Sequence, residues 1–277
     1  FGYVQQRLRR FTGRDAYSQT LRYPFFRFQV ERPSRVSERM KVGVVSILYP
    51  TKRLPVGGIF VENELNALAK FVDIRLIAPI SNQYWPGERH SGISPGGYPF
   101  IRPFTLAFPR WFRQHLYPAS LALSLSRKRK FFKDCALVHA HYGFPVAEAA
   151  VRAFGQSRPV IMTVHGSDVN YFAMQPSLAP AIIESLNSAA TVICVSSSLA
   201  ETLKKIGVRT KTEVIPNGID THLFRPGSKR EACERLGLDP GRPRALFIGN
   251  FLPVKGIEHL IGAFPEIRKF FPECRLV

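Results

Sequence analysis

Several short segments of this chain are apolar on both faces, a pattern that few folds accommodate. The runs VGVVSIL, PVIMTV and TVICVS begin at Val42, Pro159 and Thr191. A strand with one solvated face alternates apolar and polar residues, whereas a parallel strand covered by helices on both faces is apolar throughout. Segments with helical spacing separate these runs, which predicts repeated β–α–β units with right-handed crossovers. The pattern therefore predicts an α/β fold built on a doubly wound parallel sheet.

The predicted elements follow one another from Met40 onward. Strands are expected over 42–48, 72–78, 136–140, 160–164, 191–195, 213–215 and 245–248, and helices over 60–70, 145–154, 179–188, 198–207 and from Ile257. Pro216, Asn217 and Gly218 are turn residues that end this series of units. We therefore expect a Rossmann-like domain over 40–215, an interdomain linker over 216–227 and an incomplete second Rossmann-like domain over 228–277.

The charge of the chain is strongly positive and unevenly distributed. The formal net charge is +19, and residues 1–39 carry nine arginines, no lysine and three acidic residues. Such a surface attracts nucleic acid or anionic lipid, and the charge alone does not choose between them. The basic arm over 1–39 lacks the apolar core of a secretory signal. Three origins of this arm are open: a natural arm, a tag or translated upstream sequence.

Cysteine usage indicates a reduced compartment, and hydropathy bears on whether the chain spans a membrane. The four cysteines are scattered and show neither a CxxC pair nor zinc-ligand spacing. No apolar run approaches the roughly 20 residues of a membrane span. The sequence therefore predicts a cytoplasmic protein.

Ligands of doubly wound sheets bind beyond the carboxyl ends of the strands, so the residues that follow each strand are the candidate site. Gly57 and Gly58 follow the first predicted strand and allow close approach of a ligand to the backbone. Further along the chain, two more loops carry polar candidates: His139, His141 and Tyr142 in the first, and His165, Ser167 and Asp168 in the second.

Several functions are open for these polar residues. Three histidines and an aspartate suggest a metal, but His139 falls within its strand, so we favour hydrogen bonding of His165 to a sugar or phosphate. His139 is expected to be structural. Asp168 is either a site residue or a helix N-cap or turn residue.

The second half of the chain contains one further strand, loop and helix pattern. The strand ends at Gly249 and Asn250, and Lys255 precedes a segment with helical spacing. The N-terminus of a helix presents free backbone N–H groups to an anion, and Lys255 adds a full charge beside them. The alternative is an ordinary β–α unit with a solvated lysine.

Six ordered motifs resemble one enzyme family. They are GGIFVENELNALAK, LVHAHYGFPVAEAA, VIMTVHGSDVN, VICVSSSLAETLKKIGV, VIPNGIDTHLF and LFIGNFLPVKGIEHLIGAF. Their order and spacing are similar to those of a group 1, family-four glycosyltransferase with the GT-B architecture. The resemblance implies two Rossmann-like domains around a cleft, an acceptor bound by the first, and a nucleotide-sugar donor bound by the second. It also implies transfer with retention of anomeric configuration and no catalytic metal or other cofactor.

The resemblance assigns roles to individual positions. Gly57 and Gly58 match the glycine loop near the donor phosphate and the acceptor. His165 matches the histidine that approaches the transferred sugar, and Lys255 matches the lysine that neutralises the departing diphosphate. His141, Tyr142, Ser167 and Asp168 become acceptor-side candidates, and Asn217 and Gly218 match the interdomain hinge.

Two departures from the family pattern affect these expectations. Asn250 stands where the family usually has a phosphate-binding arginine, so Lys255 carries more of the electrostatics. The family's acidic Glu-x7-Glu donor segment would lie beyond Val277, so the sequence predicts a fragment that is inactive by itself. The donor, a UDP-sugar or a GDP-sugar, stays open.

The basic and aromatic stretch over 103–133 bears on the acceptor. Cations beside aromatic residues suit the interface of an anionic membrane, which fits a lipid-linked acceptor on its cytoplasmic face. The alternative is a solvated basic helix with its aromatic residues turned inward.

Two alternative functions are open for the whole protein: a noncatalytic GT-B-like protein and a basic nucleic-acid-binding module. No nucleic-acid-binding motif accompanies the charge.

Overall fold

The computed structural model describes residues 39–82, 88, 91–108 and 113–277, with no account of the side chains of 113–115. The basic arm over 1–38 and the aromatic residues over 110–112 therefore lie outside the described residues. The strands are β1 Lys41–Ser46, β2 Asp73–Ile77, β3 Ile80–Ser81, β4 Gly92–Ile93, β5 Pro99–Ile101, β6 Phe104–Thr105, β7 Leu137–His141, β8 Val160–Val164, β9 Thr191–Cys194, β10 Thr212–Val214, β11 Arg244–Ala245 and β12 Arg275–Leu276. The α-helices are α1 Ile59–Leu68, α2 Arg113–Ser126, α3 Glu148–Phe154, α4 Ala179–Asn187, α5 Ser197–Lys205, α6 Lys229–Arg235 and α7 Ile257–Phe270.

Eight strands form the central sheet in the order β10-β9-β8-β7-β1-β2-β5-β4. Every pairing is parallel except that of β4 with β5 at one edge. The order runs outward from β1 in both directions, as a doubly wound sheet requires. The predicted α/β fold class is therefore confirmed.

The core lies on both faces of this sheet, which explains why its strands are apolar throughout. Val44 and Leu76 pack with α1 on one face, whereas Val45 and Ile77 pack on the other face in a larger cluster that includes residues of α2, α3 and α4. All four of these strand side chains are fully buried. Successive residues of one strand thus enter different apolar layers.

The register of the sheet brings polar residues together at its carboxyl edge. Val44 pairs with His139, Ser46 pairs with His141, and His141 pairs with Thr163. Residues in register point to the same face. His139 and His141 therefore lie on the face that α1 covers.

The predicted boundaries hold for most elements and fail where local geometry is irregular. The strand predicted over 160–164 has the same bounds as β8. The helix predicted over 145–154 divides into a π-helical turn, Gly143–Ala147, and α3. The strand predicted over 245–248 is only β11, and Ile248 is 85% exposed. The prediction missed α2, which contains Pro118, and the two-residue pairing of β3 with β6. An internal proline and very short strands give no periodic signal.

The segment over 228–277 buries little of its apolar surface. It contains α6, α7 and the parallel pair of β11 and β12. Cys233 and Cys274 are buried, whereas Leu246, Phe251 and Val254 are between 65% and 85% exposed.

Candidate active site

The loop after β1 turns back against the end of its own strand. Gly58 has φ +74°, and a Cβ atom there would lie 2.3 Å from the carbonyl carbon of Leu48. The position needs glycine for two reasons, since the left-handed conformation and the close approach both exclude a side chain. This turn places the N-terminus of α1 at the carboxyl edge of the sheet.

His165 follows β8 and faces the end of β7. Its Nε2 lies 3.3 Å from Nδ1 of His141, and its ring packs 4.8 Å from the ring of Phe60 on α1. Nδ1 of His165 is buried and has no hydrogen-bond partner among the described residues. Burial lowers the pKa of His165, although the carboxylate of Asp168 opposes this shift. The imidazole is therefore neutral at physiological pH, with one donor and one acceptor nitrogen.

His139 and His141 extend this row of imidazoles beneath the site. Their ring centroids are 4.2 Å apart, and Nε2 of His139 lies 2.7 Å from the hydroxyl of Thr163. Burial lowers the pKa of His139 to about 4 and the pKa of His141 well below its usual value. The fully buried His141 contacts His165 rather than the solvent.

Asp168 joins the loops that follow β7 and β8. Its carboxylate accepts hydrogen bonds from the backbone N–H groups of Gly143, His165, Gly166 and Val169, at 2.7 to 3.1 Å. The side chain is fully buried. This geometry favours a positioning role over direct contact with an acceptor, and the turn role considered from the sequence is the nearer description.

Tyr142 and Ser167 form a pair of hydroxyl groups at the exposed side of the site. The two oxygens are 2.7 Å apart. Among the described residues other than glycine, Tyr142 alone has a positive φ, at 88°. Such backbone strain persists only where the surroundings enforce it, and it is frequent at functional sites.

A cavity of about 220 Å³ opens beside the glycine loop. Its lining includes Tyr49, Thr51, Gly57, Ser81, Arg102 and Tyr117. Arg102 is only 6% exposed, and its guanidinium lies 5.5 Å from the ring of Tyr49 and 5.4 Å from the ring of Phe100. Sequence reasoning missed Arg102 because a single arginine between short strands carries no recognisable motif.

Glu64 is a second residue that the sequence did not reveal. It lies one helical turn after Phe60 on α1, and burial raises the pKa of its carboxyl group to about 7. A spacing of four residues places both side chains on the same face of the helix. The four-residue spacing of Phe60 and Glu64 was the sequence signal that could have revealed Glu64. This spacing does not show which strand the face of the helix contacts.

The candidates in the second half of the chain are solvent-exposed. Asn217, Gly218, Asn250 and Lys255 are all exposed. Lys255 precedes Gly256, whose φ of +70° begins α7, as the predicted loop and helix require. None of the hydrogen bonds or ring contacts of the described residues joins these four to His165.

The basic stretch presents cations outward and two aromatic residues inward. Residues 127–130 are exposed, whereas Phe132 is fully buried and Phe131 is partly buried beside Arg75. Exposed apolar side chains accompany the cations, since Leu116 and Leu123 on α2 are 43% and 53% exposed. Over the residues that the structure describes, no helix has the length and apolar character needed to cross a membrane.

Sequence comparisons place this chain among known enzymes. Residues 57–223 match the profile of Glycosyltransferase Family 4. TuaC of Bacillus subtilis, named as a teichuronic acid biosynthesis glycosyltransferase, is 31% identical over 248 residues, which are 83% of this chain and 63% of TuaC. The GDP-mannose-dependent α-(1-6)-phosphatidylinositol monomannoside mannosyltransferase of Mycolicibacterium smegmatis is 31% identical over 82% of this chain and 57% of its own length. The chain thus spans about three fifths of each relative.

Two solved structures with the same fold were determined with nucleotide and sugar ligands. The trehalose-6-phosphate structure from E. coli, bound with UDP-2-fluoro glucose, gives a TM-score of 0.60 at 13% identity and covers 85% of this chain and 63% of that one. HepE of Anabaena, in complex with UDP and glucose, gives a TM-score of 0.55 at 18% identity over 86% of this chain and 60% of its own. These likenesses confirm the predicted GT-B architecture.

Proposed function

Because this chain belongs to Glycosyltransferase Family 4, we propose that the protein transfers a sugar from a nucleotide-sugar donor to a lipid-linked or glycan acceptor with retention of anomeric configuration. The observation that carries the proposal is the convergence of the glycine loop, His165 and the Tyr142–Ser167 pair at the carboxyl edge of the parallel sheet. Ligands of such sheets bind at this edge.

His165 is the proposed residue nearest the transferred sugar. In the reaction the bond from the anomeric carbon to the diphosphate breaks, and a bond to the acceptor oxygen forms on the same face. The acceptor hydroxyl passes its proton to the departing diphosphate oxygen. Positive charge develops on the sugar ring as the diphosphate leaves. A neutral imidazole can form a hydrogen bond with a sugar hydroxyl without repelling this charge, and burial keeps His165 neutral by lowering its pKa.

The donor diphosphate is proposed to bind between the glycine loop and the start of α7. The left-handed Gly58 at the N-terminus of α1 has no side chain to block the approach of a diphosphate to the backbone. Lys255 supplies the cation for the leaving group, and Asn250 donates hydrogen bonds in place of a second cation. Bending at Asn217 and Gly218 in the 216–227 linker would bring the 40–215 and 228–277 domains together and exclude water.

The acceptor is proposed to occupy the cavity beside the glycine loop. Tyr142 and Ser167 offer hydroxyl groups to an acceptor sugar, and Asp168 and His141 hold these loops in place. The exposed cations over 127–130 and the exposed leucines of α2 support binding to the anionic cytoplasmic face of a membrane. The name of the Mycolicibacterium smegmatis relative refers to a phosphatidylinositol monomannoside, which supports a lipid-linked acceptor.

The direct test measures transfer of radiolabelled sugar from UDP- and GDP-linked donors to a bacterial lipid extract. It uses a protein in which this chain is joined to a complete donor-binding domain, because the chain by itself is expected to be inactive. We expect one nucleotide class to support transfer, and we expect the product to keep the anomeric configuration of the donor in its proton NMR couplings. His165→Ala should reduce the rate at least about 100-fold, whereas the exposed Lys204→Ala variant on α5 should not change it.

Two outcomes would contradict parts of this proposal. Absence of transfer from both donor classes by the folded protein with its complete donor-binding domain would overturn the activity. An unchanged rate in the His165→Ala variant would overturn the assignment of His165 while leaving the activity in place.

A further inference from the structure

Three metal-ligating side chains meet below the proposed active site. One ligand atom each of Glu64, His139 and His141 lies within 4.8 Å of the other two. Glu64 comes from α1, and both histidines come from β7 on the sheet face that α1 covers. The group therefore bridges two elements that are more than seventy residues apart in sequence.

Two of the three side chains offer a polar atom with no partner among the described residues. Nε2 of His141 is buried and unpartnered, and the described residues provide neither a hydrogen bond nor an ion pair to the half-buried Glu64 carboxylate. Native proteins satisfy most buried polar atoms, so the unpartnered Nε2 of His141 requires an explanation. None of the hydrogen bonds of the described residues joins two of the three groups, although their ligand atoms lie within 4.8 Å of one another.

We propose that Glu64, His139 and His141 form a zinc-binding site between α1 and the central sheet. Two imidazoles and one carboxylate are a common zinc ligand set that leaves a fourth position open. A zinc ion about 2.0–2.2 Å from each ligand holds tetrahedral ligand atoms about 3.4 Å apart. Rotation of the flexible Glu64 side chain can bring its carboxylate oxygen to this distance from the histidine nitrogens.

The hydrogen bonds around the histidines suit this assignment. His139 bonds to Thr163 through Nε2 at 2.7 Å, which leaves Nδ1 as its ligand atom. His141 contacts His165 through Nδ1 at 3.3 Å, which leaves the unpartnered Nε2. Metal-bound histidines usually make a second hydrogen bond through the other nitrogen, which fixes the tautomer. Zinc on Nε2 of His141 would thus fix Nδ1–H as the donor to His165.

This inference does not depend on glycosyl transfer. The proposed zinc touches neither donor nor acceptor, and its binding is measurable on the chain itself. It would act on the reaction only through the orientation of His165. A failed transfer assay and a failed zinc titration would therefore be separate results.

The test is titration of the full chain, treated with chelator and then freed of it, with Zn²⁺ in competition with a fluorescent zinc chelator. We expect one zinc ion per chain, and we expect Glu64→Gln to weaken binding at least about tenfold because an amide oxygen is a poorer zinc ligand. The matched control is Glu201→Gln, an exposed glutamate on α5, which should bind zinc like the unaltered chain. Equal affinity in the Glu64→Gln variant, or no stoichiometric binding, would overturn the proposal.

X-ray absorption at the zinc edge of the unaltered chain provides a measurement that needs no variant. Two imidazole nitrogens and carboxylate or water oxygen in the first coordination shell would support the site. Sulfur ligands would overturn it, because they would place the zinc on the cysteines instead.

Discussion

The carboxylate of Asp168 accepts a hydrogen bond from the backbone N–H of Gly143 at 2.8 Å and thereby ties the loop after β8 to the loop after β7. The same carboxylate holds the backbone of His165 and Gly166. Because it is fully buried, its negative charge is compensated by backbone N–H groups rather than by water. The positions of His165 and Tyr142 therefore depend on this side chain.

Replacement of Asp168 with alanine should destabilise the fold strongly. The substitution leaves four backbone N–H groups without their acceptor, and the bonds from Gly143 and Val169 are buried. Each buried unsatisfied group costs about 1–3 kcal/mol, and partial rescue by water should leave a loss of roughly 3–5 kcal/mol in the free energy of unfolding. Urea denaturation followed by far-UV circular dichroism measures this loss.

Asp220→Ala is the matched control for that experiment. Asp220 also accepts two backbone N–H hydrogen bonds, from His222 and Leu223, but it lies in an exposed turn. Its removal should leave the free energy of unfolding nearly unchanged because water replaces the lost acceptor. Equal effects of the two substitutions would show that Asp168 does not anchor the loops.

Gly58→Ala should be far more damaging than Gly97→Ala. Both glycines have positive φ, +74° and +82°, but a Cβ at Gly58 meets backbone atoms of Leu48 and Tyr49 at 2.3–2.6 Å, whereas a Cβ at Gly97 meets nothing within 4 Å. The strain of a left-handed alanine alone costs about 1–2 kcal/mol. Overlap with backbone should add at least about 2 kcal/mol at Gly58.

Thermal and urea unfolding of the two glycine variants separate these contributions. Gly97→Ala measures the conformational strain by itself, and the difference between the variants measures the close approach. A Gly58→Ala variant as stable as Gly97→Ala would mean that the loop after β1 moves without cost.

Cys194 should resist alkylation in the native protein. The side chain is fully buried, and burial raises the pKa of its thiol to about 11. Only the thiolate reacts, so at pH 8 native Cys194 should react with iodoacetamide at least about 100-fold more slowly than in urea. Peptide mass spectrometry after timed labelling measures both rates. Native labelling as fast as in urea would contradict the burial of β9.

Binding to anionic membranes should depend on the exposed cations at the end of α2. Each basic residue near an anionic surface contributes about 1 kcal/mol. The double substitution Arg127→Gln and Lys128→Gln should therefore weaken binding to phosphatidylglycerol vesicles about 30-fold, as measured by flotation. The control is Lys204→Gln with Lys205→Gln, which removes two exposed cations from α5.

The membrane prediction has a clear contrary result. Two results would contradict electrostatic binding through the cations around Arg127. One is binding to neutral phosphatidylcholine vesicles as strong as binding to phosphatidylglycerol vesicles, and the other is an equal loss of affinity in both double variants. Phe132 is buried in the core, so this part of the basic stretch cannot contact a membrane. The exposed leucines of α2 remain available for contact with the bilayer.

The central strands were predictable because each carries its signal within a few residues. The run at Val160–Val164 is apolar on both faces, and the structure gives it the same bounds. Elements without such a signal were missed or shortened: β3 and β6 have two residues each, and Pro118 interrupts the pattern of α2. Their positions depend on neighbouring strands and helices rather than on their own periodicity.

The candidate site divides in the same way. His165 and the glycine loop were predicted because they follow strands, and post-strand positions meet at one edge of a parallel sheet. The burial of Asp168 was not predictable, because its four donors belong to loops that only the register of β7 against β8 brings together. The role of Asn250 and Lys255 toward the donor remains a prediction.

By itself, the sequence determined the α/β class, the order of the main β–α units and the family, because these follow from short periodic patterns and ordered motifs. Only the tertiary structure decided that Glu64 lies beside His139 and His141, and that His141 meets His165 at 3.3 Å. The physical reason is that side-chain contacts between distant segments depend on strand register and helix packing. A pattern with a period of two or 3.6 residues fixes which face a residue occupies but leaves open which residues it meets there.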